Sequence, residues 1–221
     1  MTTYLITGAN RGIGYEMAKQ AKEAGAEVIA ACRQTTQELD QLGVQVETGL
    51  DVGSDKAVTN FAQRLEGKTI DILVNNAGIW SGNRLGNLDF EKLLHLFNIN
   101  SLGALRVTQA LLPNLKSGSK IALITSRMGS IGDNNSGNSY GYRMSKVALS
   151  MAGKSLAIDL QPKGIAVAIL HPGLVSTRMT NFTTNGISTA EAASGLLKRI
   201  EQLNLNNSGT FWHAKGEVLP W

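Results

Sequence analysis

The chain has 221 residues, of which 43% are hydrophobic and 17% charged, with 24 glycines, four prolines and a formal net charge of +4. This composition excludes an intrinsically disordered chain, a coiled coil and a collagen-like fibre, and the length supports a core that needs no metal or disulfide staple. A pI near 9.2 raises the question of nucleic acid, but Lys198-Arg199 is the only adjacent basic pair, so the expected partner is an anionic small molecule, with no nucleic acid.

Tyr4-Leu5-Ile6 is a short buried-strand run ending at Gly8. Ile13, Met17, Ala18, Ala21 and Ala24 mark one face of a helix that Gly25 stops. Val28 to Cys32 is a second strand, Leu39 and Leu42 fit a short helix, and Val44 and Val46 belong to a third strand. Ser54 caps a helix carrying Ala57, Val58, Phe61, Ala62 and Leu65. Ile70 to Val74 is a fourth strand, followed by a long helical segment from Phe90 to Leu112. Ile121 to Ile124 is a fifth strand, and a Gly/Asn/Ser-rich loop leads to a helix from Tyr142 to Leu160. Ile165 to Leu170 is a sixth strand, closed by Pro172-Gly173. A polar stretch from Thr180 to Ser188 precedes a last helix to Leu203, and Gly209 to Trp212 reads as a seventh strand. The methionines, Met144 and Met151 among them, are expected as core filler.

Continuous apolar strands imply a sheet covered on both faces. Their alternation with helices predicts an α/β fold: a Rossmann-type doubly wound parallel sheet of about seven strands, with helices on both faces. No linker composition divides the chain, so one domain is expected over residues 1–221. The first residues lack a signal-peptide pattern and no apolar run approaches 18 residues. The expectation is a cytoplasmic protein with no membrane partner. Cys32 is the only cysteine, and the three histidines are scattered, so no metal site is expected.

In such sheets ligands bind beyond the carboxyl ends of the strands. The first candidate there is Thr7-Gly8-Ala9-Asn10-Arg11-Gly12-Ile13-Gly14. Glycines at a strand–helix turn let phosphate approach the backbone, and the helix N-terminus supplies N–H donors. The bland alternative is a tight turn that binds nothing. At the end of the second strand the chain reads Cys32-Arg33-Gln34, with no acid for a ribose 2′-hydroxyl. Arg33 and Arg11 are suited to a 2′-phosphate, which favours NADP(H) and leaves NAD(H) open. Two solvated surface arginines would read the same way.

Tyr142 and Lys146 lie at i and i+4, on one face of a helix. An ammonium near a phenol lowers its pKa and makes it a usable acid or base. A partly buried tyrosine beside a solvated lysine is the plain alternative. Ser126, 16 residues earlier, follows the fifth strand, where a hydroxyl can bond a carbonyl oxygen. Asn75-Asn76-Ala77-Gly78 ends the fourth strand, where small residues permit close approach. Asn100 sits mid-helix, either as an exposed polar position or as a group that distorts the ladder and holds a water.

Together these residues resemble the short-chain dehydrogenase/reductase family. The matching set is Thr7-Gly8-x3-Gly12-x-Gly14, Asp51, Asn75 to Gly78, Asn100, Ser126, Tyr142-x3-Lys146 and Pro172-Gly173 with Thr177. Cys32-Arg33, Tyr140-Gly-Tyr142-Arg-Met-Ser-Lys146 and the closing Gly209-x-Phe211…Gly216…Leu219-Pro-Trp221 are similar to its C-factor and sniffer-like carbonyl reductase branch. The resemblance implies that Tyr142 exchanges a proton with substrate oxygen, that Lys146 lowers its pKa and holds the nicotinamide ribose, and that Ser126 orients the carbonyl. Asn100 would anchor a water reaching Lys146. Gly8, Asn10, Arg11, Gly12, Ile13 and Gly14 would surround the phosphates, with Arg33 at the 2′-phosphate. Asp51 and Val52 would lie at adenine, and Asn76, Ala77 and Gly78 at its ribose. Pro172, Gly173, Val175 and Thr177 would line the nicotinamide.

The expected activity is NADPH-dependent reduction of a small-molecule carbonyl. The alternatives are an NAD-dependent alcohol dehydrogenase and a dinucleotide-binding signalling protein of C-factor type. A brief segment after Thr177 implies an open, tolerant pocket, and the absence of a long insertion before Tyr142 leaves helices free for a possible homodimer.

Overall fold

Short apolar runs between turn residues become the strands of one seven-stranded, all-parallel sheet in the order β3-β2-β1-β4-β5-β6-β7. The structure, a computed structural model, describes every residue from Met1 to Trp221. The strands are β1 (Thr3–Thr7), β2 (Glu27–Ala31), β3 (Gln45–Glu47), β4 (Ile72–Asn75), β5 (Lys120–Ile124), β6 (Ala166–His171) and β7 (Phe211–His213). The helices are α1 (Gly12–Glu23), α2 (Gln37–Gln41), α3 (Asp55–Arg64), α4 (Phe90–Phe97), α5 (Gly103–Ala110), α6 (Tyr140–Leu160) and α7 (Thr189–Gln202). None of them is long and apolar enough to cross a membrane. The fold is the α/β, Rossmann-like arrangement that the alternation predicts.

Successive strand residues point to opposite faces, and each face carries its own core. Leu5, Leu73, Leu123 and Val167 meet Phe61, Val107 and Leu149 from α3, α5 and α6. Ile6, Val74, Ala122 and Ala168 meet Met17, Leu196 and Ile200 from α1 and α7. Strand order reverses between β1 and β4, which opens a crevice at their carboxyl ends.

The helical stretch from Phe90 departs from expectation. It is broken by a π-helical turn, Asn98–Leu102, between α4 and α5, and α5 ends at Ala110. Asn100 sits inside that turn, buried rather than exposed. The expected role for methionine also fails at two positions. Met144 and Met151 are 53% and 67% exposed, and with Ile158 they form an apolar stripe on α6. Their seven-residue spacing puts them on the side of α6 away from the sheet. A final satellite cluster joins Ile169, Phe211 and Leu219, with Trp221 stacked on Phe211 at 5.5 Å.

Helix α6 packs closely on the sheet at Gly153, which has no side chain. A Cβ there would stand 2.7 Å from Ile169 Cγ1 and 2.8 Å from Leu123 Cδ1. Alanine is the better helix former, yet the Gly153→Ala variant is expected to lose about 1–3 kcal/mol through overpacking. Urea denaturation measures this, and an equal or more stable variant would show that α6 can lift away freely.

Candidate active site

The glycine turn after β1 is shaped by contacts that allow no side chain. Gly8 and Gly12 take φ values of +67° and +58°, and a Cβ on Gly14 would stand 2.4 Å from Gly8 O and 2.5 Å from Asn76 Nδ2. Asn76 Nδ2 donates to Thr7 O (3.0 Å) and Gly8 O (3.3 Å), while the Thr7 hydroxyl oxygen accepts from Asn76 N and Ala77 N at 3.0 Å each. The ends of β1 and β4 are therefore locked together at the crevice. Gly12 also faces Thr177, whose Cγ2 is 3.9 Å from where its Cβ would be. The first N–H groups of α1, at Gly12, Ile13 and Gly14, open towards this space. Such a bare backbone cradle fits the diphosphate of a dinucleotide.

The flanking positions fall around it. Asn10 Nδ2 donates to Gln34 O (2.9 Å) and Asn10 O accepts from Thr36 Oγ1 (3.1 Å), which ties the turn to the end of β2. Arg11 and Arg33 are both exposed there. Asp51 accepts from Gly53 N at 2.9 Å. The Val52 side chain is buried against Gly103, and its carbonyl accepts from Arg106 Nη1 at 3.4 Å. Gly173 has φ +94°, after the half-buried His171. Val175 is buried, and its carbonyl accepts from Thr180 Oγ1 at 2.6 Å. Thr177 N donates to the same hydroxyl at 3.0 Å.

Beside the cradle, α6 and the end of β5 bring Ser126, Tyr142 and Lys146 together. Tyr142 is 8% and Lys146 5% exposed. Lys146 Nζ lies 5.7 Å from the Tyr142 ring centroid and donates to Ile124 O at 2.9 Å. Ser126 Oγ accepts from Met128 N at 3.1 Å. Asn100 Oδ1 accepts from Ile79 N at 2.8 Å, and its Nδ2 donates to Ile79 O (2.9 Å) and Ser145 Oγ (3.0 Å). Gly78 closes the gap, for a Cβ there would be 3.2 Å from Asn100 Oδ1 and 3.7 Å from Lys146 Nζ. All four side chains and both backbone segments thus share one end of the sheet.

A family model described as short chain dehydrogenase matches residues 2–187. The chain belongs to the short-chain dehydrogenase family. Among curated relatives, 1-hydroxy-2-glutathionyl-2-methyl-3-butene dehydrogenase of Rhodococcus sp. (strain AD45) is 39% identical, over all of both chains. C-signal of Myxococcus xanthus is 41% identical, over 73% of this chain and 98% of its own. Among solved structures, the carbonyl reductase Sniffer of D. melanogaster superposes with a TM-score of 0.93 at 28% identity, over all of both chains. NADPH-bound carbonyl reductase from chicken fatty liver gives 0.91 at 28% identity, over 100% of this chain and 99% of its own. This short-chain dehydrogenase is thus an oxidoreductase of that family, acting on a small-molecule substrate.

Two features of the short-chain dehydrogenase site escape a reading of the sequence. Ser145 is fully buried, accepts from Asn100 Nδ2 and donates to Tyr142 O at 2.8 Å, so it couples the π-helical turn to α6. Thr125 Oγ1 donates to Lys146 O at 3.0 Å. The only sequence signal for either was a small hydroxyl residue next to a motif position. The expected lowering of Tyr142 by the ammonium is not what governs the phenol. Burial pushes the phenol up to about 12, against the Ser126 hydroxyl, which pulls it down. The same burial pulls Lys146 down from 10.5 to about 8.

Lys146 therefore releases its proton near pH 8 when folded and near 10.5 when unfolded. Between these values the unfolded chain holds more protons, so this group adds stability as pH rises. Urea unfolding from pH 8 to 10 should show the stability of the natural chain gaining on that of Lys146→Met. A pH-independent difference would contradict the burial-driven shift.

Proposed function

We propose that this oxidoreductase is an NADPH-dependent reductase of aldehydes and ketones. The observation that carries the reading is the convergence of Ser126, Tyr142 and Lys146 beside a bare glycine cradle edged by Arg11 and Arg33. The cofactor supplies the hydride. Gly8 to Gly14 hold the diphosphate with backbone N–H groups, and the two guanidinium groups meet the 2′-phosphate. Asp51 and Val52 border adenine, and Asn76, Ala77 and Gly78 its ribose. Pro172, Gly173, Val175 and Thr177 flank the nicotinamide.

Ser126 Oγ accepts from Met128 N and its hydroxyl is directed at the Tyr142 phenol, so both groups converge where a substrate carbonyl oxygen would sit. Tyr142 is held protonated by burial, which suits a donor to the oxygen that gains charge. The Lys146 ammonium lies close enough to favour the phenolate left behind. Asn100 keeps one Oδ1 lone pair for a water that returns the proton from solvent.

The test is side-by-side binding of NADPH and NADH, followed by turnover of aldehydes, diketones and quinones. A glutathione-bearing aldehyde belongs in the panel because the Rhodococcus relative is named as the dehydrogenase of a glutathionyl alcohol. NADPH selectivity with turnover is expected, and Tyr142→Phe should abolish turnover while leaving NADPH binding intact. Replacement of Arg33 by alanine should cut the preference for NADPH about tenfold, the worth of one lost phosphate contact. A preference for NADH would overturn the cofactor assignment and favour the alcohol dehydrogenase alternative.

The likeness to C-signal favours a second reading, a dinucleotide-binding signalling protein. It predicts dinucleotide binding without turnover across the panel, and a protein partner in pull-down.

We infer too that two copies pair through α4 and α6. Leu88, Phe90, Leu94, Phe97 and Met144 line an apolar groove of about 290 Å³, and Met151 and Ile158 extend its stripe. The seven-residue spacing suits packing against the same face of a second copy. Sedimentation at micromolar concentration should show a dimer, and Met151→Glu should give a monomer. A monomeric natural chain would end this assignment.

A further inference from the structure

The loop from Ser126 to Ser139 joins the hydroxyl at the end of β5 to the start of α6, and it is held in an unfavourable shape. Gly137, Asn138 and Ser139 take φ values of +60°, +54° and +48° in succession. Two of these carry side chains, and such residues stay left-handed only where their surroundings fix them. The surroundings here are largely one side chain. Arg143 Nε donates to Gly137 O (3.0 Å) and Asn138 O (3.2 Å), Nη1 to Met128 O (3.1 Å) and Nη2 to Ser136 Oγ (2.8 Å). No carboxylate competes for this guanidinium, so its planar fork serves the loop alone.

Arg143 follows Tyr142 on α6, about 100° further round the helix, so it points away from the reacting atoms and across the loop. It nonetheless reaches Ser126 through a single residue. Met128 O accepts from Arg143, and Met128 N donates to Ser126 Oγ. The helix that carries Tyr142 thereby sets the orientation of the Ser126 hydroxyl.

We propose that Arg143 is a positioning residue, which fixes the Ser126 hydroxyl relative to Tyr142 by bracing both ends of the loop between them. This rests on the reductase reading for its kinetic consequence, but not for the brace itself.

The test compares Arg143→Met, Arg143→Lys, Ser126→Ala and the Arg143→Met/Ser126→Ala double variant in the full chain. Their kcat is measured with NADPH and the best carbonyl of the panel. NADPH affinity comes from nicotinamide fluorescence, and loop order from amide hydrogen exchange over residues 128–138. Arg143→Met should lower kcat about 10- to 100-fold, as loss of orientation does. It should move the NADPH Kd by less than about threefold and cost little more once Ser126 is gone. Lysine, with point contacts in place of a fork, should restore part of the rate. An equal loss with and without Ser126, or a loss confined to NADPH affinity, would overturn the proposal.

Exchange separates the two failures. Protection over 128–138 should fall in Arg143→Met, and unchanged protection would overturn the brace whatever the kinetics. A natural chain that reduces no carbonyl, with faster loop exchange in the variant, would sink the reductase reading and support the brace. Should Arg143→Met not fold, Arg143→Lys carries the same comparisons.

Discussion

An ammonium group buried at the carboxyl end of the sheet is the constraint on which the site depends. Lys146 is almost fully enclosed, and the one protein acceptor of its Nζ is Ile124 O. Burial of a charge costs several kcal/mol unless it is paired or loses its proton. The structure meets that cost in part by lowering the lysine pKa and in part by packing. Helix α6 can bring the group so deep because small residues line its path. Gly129 lies where a Cβ would be 2.7 Å from Lys146 C, and Gly141 where it would be 2.8 Å from Leu96 Cδ1. With Gly153, these three positions seat α6 against β5, β6 and α4. Once α6 is seated, Tyr142 and Lys146 have one available position, beside the end of β5.

The π-helical turn belongs to the same arrangement. A regular helix from Phe90 to Ala110 would keep its backbone bonds in register and present Asn100 differently. The extra residue instead turns Asn100 inward to clasp both backbone groups of Ile79 and to meet Ser145. Ile79 follows Gly78, which in turn borders Lys146. The segment after β4 is thus fixed from α6 by way of Asn100, and the glycine turn and the Ser126, Tyr142 and Lys146 group are joined through it.

Much of this was legible in the sequence, and the reasons differ from element to element. Alternating apolar runs and glycine stops define the strands, because burial on both faces leaves few other uses for Leu5-Ile6 or Ile121 to Ile124. The glycine turn is legible because Gly14 has no substitute where Gly8 O would meet a Cβ. The π-helical turn is not legible, since its cause is tertiary: Ile79 and Ser145 offer Asn100 partners that no local pattern records. The methionine stripe misleads for a related reason. Met144 and Met151 are apolar at helical spacing, yet which face of α6 meets the sheet is decided by Gly153 and Leu149. The phenol misleads because spacing reports a neighbouring ammonium and says nothing of desolvation, which here is the larger effect.

Rigidity and variability are divided along the same line. The glycine turn and the Ser126, Tyr142 and Lys146 group rest on strand ends, π-helical turn and α6, where backbone and side-chain groups are mutually satisfied. The segments 79–88, 127–139 and 174–188 are mostly irregular and carry exposed apolar groups such as Trp80, Ile131, Leu174 and Phe182. The first is tied to the body through Ile79 to Asn100 and Asn83 to Gly141, the second through Arg143 and Gly132 to Trp221, and the third closes on itself where Ile187 meets Leu174 and Ser176. Such segments sit at the low-stability end of a fold and accept change without loss of the core. A dehydrogenase of glutathione conjugates, carbonyl reductases and a protein named as a signal can therefore share this scaffold. In the proposed function the proton chemistry would rest on what α6 buries, while substrate choice would fall to the irregular segments at the carboxyl end of the sheet.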